Sequence, residues 1–162
     1  MEEATERLVR LFLESKGFLV RTNERIKIET NRILEIDIIA IRVKQKNDDL
    51  PNKIIGEVKS WALKKDFDSE KGASKFKSIL LYKDQIEEYI KDKYGDDFKQ
   101  VIFARDSPKS HKEEVDNKLK EKGILFITLE KVAKKIVDYS NKHGYTNDPE
   151  LQILRLLNLC KK

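Results

Sequence analysis

Residues 33–43, ILEIDIIAIRV, constrain this chain more than any other stretch. Aliphatic, mostly β-branched residues without Gly or Pro favour a pleated strand, and a run this apolar asks for cover on both faces, the condition of a central strand. One acidic residue, Asp37, stands in its middle. A carboxylate among isoleucines is costly to bury without a partner, so the fold has to bring a cation, a donor or a metal to that position.

The stretch that follows, KQKNDDLPN at 44–52, has the charge, Asn/Asp and Pro content of a hairpin connection, and residues 53–61 return as a second strand containing IIGEVKSW. Glu57 and Lys59 are two apart and share one face, while Val58 points to the other. If the strands pair as a hairpin, Asp37 lies opposite Glu57. Two carboxylates with the backbone carbonyl of Val58 then make an oxygen-rich pocket suited to Mg2+ or Mn2+. Beside it, the Lys59 ammonium can hold or help deprotonate a water and offset charge on a phosphate. The plain alternative is a salt bridge from Lys59 to Glu57 or Asp37 on a solvated sheet edge. Glu35 shares the face of Asp37 by alternation and is a rival or auxiliary ligand.

Ahead of these strands, Ala4, Leu8, Leu11 and Phe12 have helical spacing over 4–16, and Gly17 ends that helix. Residues 18–21 and 25–29 read as two short extended stretches. Residues 63–71 show no period and read as a surface loop before a helix over about 74–93, with Phe76, Ile79, Leu80, Ile86 and Ile90 as its buried stripe. A strand at 100–105 follows, and Ser110 to Glu113 matches a capping box opening a helix that Gly123 stops. A last strand at 124–129 leads into a helix over 130–140 with Val132, Ala133, Ile136 and Val137 inward. Asp148 and Pro149 open a final leucine-rich helix. The expected fold is mixed α/β: an antiparallel meander, then βα crossovers, in a central sheet of about five strands flanked by helices.

The chain has 162 residues, 39% apolar and 39% charged, which suits one domain with a real core. A lone Cys160 and only His111 and His143 leave no disulfide framework and nearly exclude zinc. With no signal-like start and no apolar stretch near ~18 residues, the expected setting is cytoplasmic and away from membranes. A net charge of +5 favours an anionic partner. Arg7 and Arg10 on the first helix, with Ser60, Lys64, Lys65, Lys75 and Lys77 after the second strand, form a basic rim that reads either as phosphate contacts to DNA or as a solvated lysine face. Trp61 reads as packed rather than stacked on a base. The chain has no G-x-x-x-x-G-K-[ST], G-x-G-x-x-G or G-x-S-x-G, so nucleotide-cofactor and triad-hydrolase readings fall away.

An early helical Glu, then Asp, a hairpin and Glu-x-Lys together resemble the PD-(D/E)XK nuclease superfamily. ATERL, with Gly17-Phe18 eleven residues after Glu6, is similar to the opening of archaeal Holliday junction resolvases, and this implies that Glu6 is an active-site carboxylate. Gln85 and Tyr89 resemble the Q-x-x-x-Y helix motif of RecB-like members, which implies a place for Gln85 near the catalytic cluster. The tail from VIFAR to about residue 137 looks like the closing helix–strand–helix of Mrr-type restriction endonucleases. Position 36 is Ile where many members carry Pro.

The resemblance implies a single restriction endonuclease-like domain with its core at about 4–137 and a helical extension at 138–162. It also implies an Mg2+- or Mn2+-dependent deoxyribonuclease leaving 5′-phosphate ends, on branched or structured DNA in repair and recombination or in restriction. Asp37, Glu57 and the Val58 carbonyl would be metal ligands, Glu6 an accessory ligand and Lys59 the water-positioning residue. The alternative is a non-catalytic nucleic-acid-binding or assembly protein that kept the nuclease fold. Cutting both strands needs two sites, and the surplus leucines between Leu151 and Leu159 offer either a homodimer contact or a core cap.

Overall fold

The aliphatic run forms the strand its composition demands. β2 (Arg32–Arg42) is buried without a break from Ile36 to Ala40 and pairs antiparallel with β1 (Phe18–Glu29) on one side and β3 (Lys53–Ala62) on the other. The computed structural model describes residues 3–29, 32–44, 48–69 and 80–143. Beyond β3 the sheet continues through β4 (Lys99–Arg105) and β5 (Leu125–Thr128), each parallel to the strand before it, in the order β1-β2-β3-β4-β5. Antiparallel neighbours need only hairpins, whereas parallel neighbours need crossovers. The crossovers contain α2 (Lys83–Tyr94) and α3 (Lys112–Glu121), while α1 (Ala4–Ser15) precedes the sheet and α4 (Leu129–His143) closes it. The fold is therefore the mixed five-stranded α/β architecture expected from the sequence. No helix among the described residues is long and apolar enough to cross a membrane.

Helices cover both sheet faces. Val9, Phe12 and Leu13 of α1 and Val132 and Ile136 of α4 pack with Ile38, Ile54, Val101 and Phe103. On the opposite side Ile86 and Ile90 of α2 join Ile36, Ile39 and Ile55, and Val115 and Leu119 of α3 join Ile102 and Ala104. Each such side chain, fully buried, contributes about 1.5–3 kcal/mol relative to exposure.

Several local expectations are corrected. On α1, Ala4 is exposed, while Val9 and Leu13 join the expected Phe12 at the centre of the inward face with Leu8 and Leu11 packed at its margin, because α1 is wedged between α4 and the sheet. Residues 63–69 are no surface loop: Leu63 and Phe67 are buried with α3. The Ser110 capping box does not form, since His111 is the residue that caps α3 and makes no side-chain cap bond. Instead Thr128 caps the last helix, its Oγ1 accepting from the Lys131 N–H at 3.2 Å, so β5 runs into α4 without a loop. Most of the predicted start of α2, with Phe76, Ile79, Lys75 and Lys77, lies outside the described residues, as does the leucine-rich helix after Pro149.

The two expected stretches 18–21 and 25–29 are one strand, jointed at Asn23, whose φ is +55°. Phe18 packs with α1 and α4 whereas Ile26 packs with α2, and in β2 Ile38 and Ala40 join the first group while Leu34 and Ile36 join the second. Even-numbered residues thus change side along both strands. The change falls between the pairs Thr22↔Ile38 and Glu24↔Ile36, at the level of Asn23 and Asp37.

Candidate active site

Hairpin register assembles the site. The pair Ile38↔Gly56 makes Asp37 and Glu57 the next facing positions, and there the backbone ladder gives way to a side chain: the Val58 N–H donates to Asp37 Oδ2 at 2.8 Å. Lys59 Nζ reaches back to both acids, 2.6 Å from Glu57 Oε1 and 3.4 Å from Asp37 Oδ2. Asp37 and Glu57 are both buried, and Glu57 Oε2 has no hydrogen-bond partner. A buried carboxylate oxygen left unpaired in the middle of a strand is costly to retain for stability alone.

Glu6 approaches from α1. It shares the helix face of Val9 and Leu13 and is 9% exposed, with the Glu3 N–H donating to its Oε2 at 3.2 Å in a capping box. Asn23 stands between acids. With its amide nitrogen turned toward them, it donates to Glu6 Oε2 and Glu35 Oε1, each at 3.3 Å. Glu35 is half-exposed and held by Arg25 at 3.0 Å, which places it at the margin.

The electrostatics follow from burial and crowding. Burial, reinforced by the charge of Asp37, pushes Glu57 up to about 8, with Lys59 opposing. Asp37 is raised by burial against the pull of Lys59, and Glu6 by burial and by the Asp37 charge. Burial disfavours the Lys59 cation, yet Glu57 and Asp37 outweigh it and hold Lys59 above the ordinary lysine value. Glu57 and Lys59 therefore share a proton-rich pocket at neutral pH.

Other expected site residues fall apart from this group. Gln85 is exposed on α2 and lines an open groove with Ile26, Lys27 and Ile28, making no hydrogen bond to Asp37, Glu57 or Lys59. Its motif partner Tyr89 donates to Glu24 Oε1 at 2.7 Å, within a network of Arg21 and Lys93 that ties β1 to α2. Arg7 and Arg10 are half-buried on α1, and Arg10 lies 3.8 Å from Glu14. Ser60, Lys64 and Lys65 are exposed just beyond the site. Trp61 is not packed away as expected: it is 43% exposed.

Asn23 is the residue that sequence reasoning missed. A signal for it existed in the break between the two apparent extended stretches, since Asn is among the few residues that tolerate a left-handed backbone.

Among the described residues no group of three or more His, Cys, Asp or Glu side chains closes into a metal cage. Lys59 instead bridges the two central acids. The donor chemistry nonetheless suits a hard cation, because Mg2+ requires only one or two carboxylates and keeps several waters. Asp37 and the unpartnered Glu57 Oε2 supply that set. Compared with protein-family models and with curated proteins, the sequence matches none.

Proposed function

We propose that this chain is a metal-dependent phosphodiesterase, and more particularly a DNA endonuclease of the PD-(D/E)XK kind. The observation that carries the reading is the partnerless, buried Glu57 Oε2, facing Asp37 and flanked by Lys59. Support also comes from the setting, a helix with an inward Glu6, an antiparallel hairpin and two parallel strands, which is the arrangement the family resemblance implies. Asp37 and Glu57 would hold Mg2+ or Mn2+, with the Val58 carbonyl and Glu6 completing the oxygen set. When bound, the ion supplies Lewis-acid polarisation of the phosphate and acidifies a water. Lys59 orients that water and offsets phosphate charge, while the apolar surroundings exclude competing solvent. Glu57 gives up its proton to become a ligand, because metal binding requires the ionised carboxylate.

The test combines Mn2+ calorimetry with hydrolysis of branched, flapped, duplex and single-stranded DNA in Mg2+ and in EDTA. Wild type is expected to bind Mn2+ and to cut only with the ion present. Asp37→Ala abolishes both, and Lys59→Ala retains metal binding but slows cleavage roughly 10²–10⁴-fold. Activity that survives both substitutions overturns the assignment. DNA binding without any Mn2+ binding marks the chain as a non-catalytic nucleic-acid-binding protein.

A further inference from the structure

β3 pairs with β4 at Val58↔Phe103 and next at Ala62↔Arg105, so β3 carries three residues across a span where β4 carries one. Those three are Lys59, Ser60 and Trp61. Bulges of this kind re-aim side chains beside functional sites. Here the distortion leaves the chain's only tryptophan 43% exposed, with Lys59 Nζ 5.8 Å from its ring centroid. An outward indole directly beside a catalytic-type lysine is unusual, since large aromatics are mostly covered.

Its surroundings define what it fits. Ser60, Lys64 and Lys65 around it in sequence are exposed, with exposed Asp66 next. Arg105, the ladder partner of neighbouring Ala62, is exposed too and lies 4.0 Å from Glu130, which leaves the rim with more cations than anions. A single flat ring in a cationic rim lacks the apolar area of a protein-docking patch but matches a base with its phosphates. Paired, stacked bases present no free face along a duplex, so the ring can be used only where a base is unpaired.

We propose that Trp61 stacks an unpaired base of the strand whose phosphate sits beside Lys59, so that the substrate class is DNA with unpaired nucleotides at the cleavage point. The inference rests on the nuclease reading for the position of cleavage and on the bulge for the base.

Because the chain has one tryptophan, its fluorescence reports this contact directly. The full chain in EDTA is titrated with a thymidine oligomer of about ten nucleotides, a blunt duplex of equal length, and an abasic oligomer of the same charge. The thymidine strand is expected to quench the emission strongly, the duplex weakly, and the abasic strand to bind without quenching. Trp61→Ala weakens thymidine-strand binding about tenfold and leaves abasic binding unchanged, and Trp61→Phe recovers most of the loss. Equal emission with thymidine and abasic strands, or equal weakening of both by Trp61→Ala, overturns the proposal, as does a failure to bind any of the three. Mn2+ calorimetry on the same protein dialysed free of EDTA separates the two readings: quenching without metal binding supports base stacking and removes the nuclease, whereas metal binding without quenching removes the stacking alone.

Discussion

Glu57 faces opposite demands with and without the proposed cation. Without a cation its burial favours the neutral acid, and its value near 8 against an ordinary 4.5 makes this a stability effect. Below about 4.5 the carboxyl is protonated whether the chain is folded or not. Between 4.5 and 8 the folded chain keeps a proton that the unfolded chain has released, so stability falls as pH rises and the loss is complete above 8. The raised Asp37 and Glu6 act in the same direction, while raised Lys59 stays charged throughout. In EDTA the melting temperature should therefore decline from pH 5 to pH 8, and Glu57→Gln should flatten that slope; parallel curves for the two proteins would refute the burial effect. Asn23 poses a different question, because its +55° φ is strained for most residues with a Cβ and tolerated best by Asn among them. Asn23→Ala is expected to lose roughly 1–2 kcal/mol in urea unfolding, whereas Asn23→Gly stays within about 0.5 kcal/mol of wild type. An alanine variant as stable as the glycine variant would show that backbone conformation is not what Asn23 provides. Asp37, Glu57 and Lys59 were legible because a charge in an aliphatic strand violates the burial rule visibly. The Asn23 amide was not, since its reach to Glu6 and Glu35 depends on a dihedral angle and a strand register that no local pattern encodes.

At the scale of elements, the strands were the readable part. Residues 33–43 and 53–61 carry enough apolar and branched residues to mark both as strands, the polar connection between them pointed to a hairpin, and Gly17 and Gly123 do occupy positive-φ positions at helix ends, +86° and +67°. What failed was capping and cover. Val9 and Leu13 complete the inward face of α1 through tertiary contacts with α4, and the buried Leu63 and Phe67 sit in a segment with no period because α3 supplies their cover. Arg42 shows how closely the hairpin is held: its guanidinium binds both oxygens of Asp48, at 2.9 and 3.0 Å, and lies 4.3 Å over the Phe18 ring. Gly56 is the tightest point of the β2–β3 pairing. A Cβ there would meet Ile38 Cβ at 3.0 Å and Phe103 Cε2 at 3.1 Å, one residue from Glu57 and across from the neighbour of Asp37. Gly56→Ala should then cost about 1–3 kcal/mol in denaturant unfolding, the usual penalty of an overfilled core. A variant within error of wild type would mean that the strands separate freely there and that the spacing of the two acids is not fixed by packing.

On the scale of the whole molecule, two basic regions differ in their surroundings. In the cleft beside the β2–β3 connection, Lys16, Lys131 and Lys135 gather with Asp48 and Asp49, so cations and anions are mixed. At the site end, Lys59 faces its acids, and exposed Lys64 and Lys65 follow β3 with exposed Asp66 next in sequence. The sequence revealed the excess of +5 but not this division, because charge sign is written along the chain while its distribution is made by folding. If the site end meets a nucleic-acid backbone, association releases counterions, and the logarithm of affinity falls with the logarithm of salt by about 0.9 per duplex phosphate or about 0.7 per single-strand phosphate. Lys64→Ala with Lys65→Ala should accordingly reduce the salt slope by up to about 1.4–1.8 and weaken binding of all sequences alike. The matched pair Lys131→Ala with Lys135→Ala removes the same formal charge from the cleft where Asp48 and Asp49 already offset it, and should leave the slope nearly unchanged. Salt titrations of the three proteins with one labelled oligonucleotide decide it: equal reductions from both pairs would mean that net charge alone governs association, and that the basic rim beside Lys59 does not position the strand.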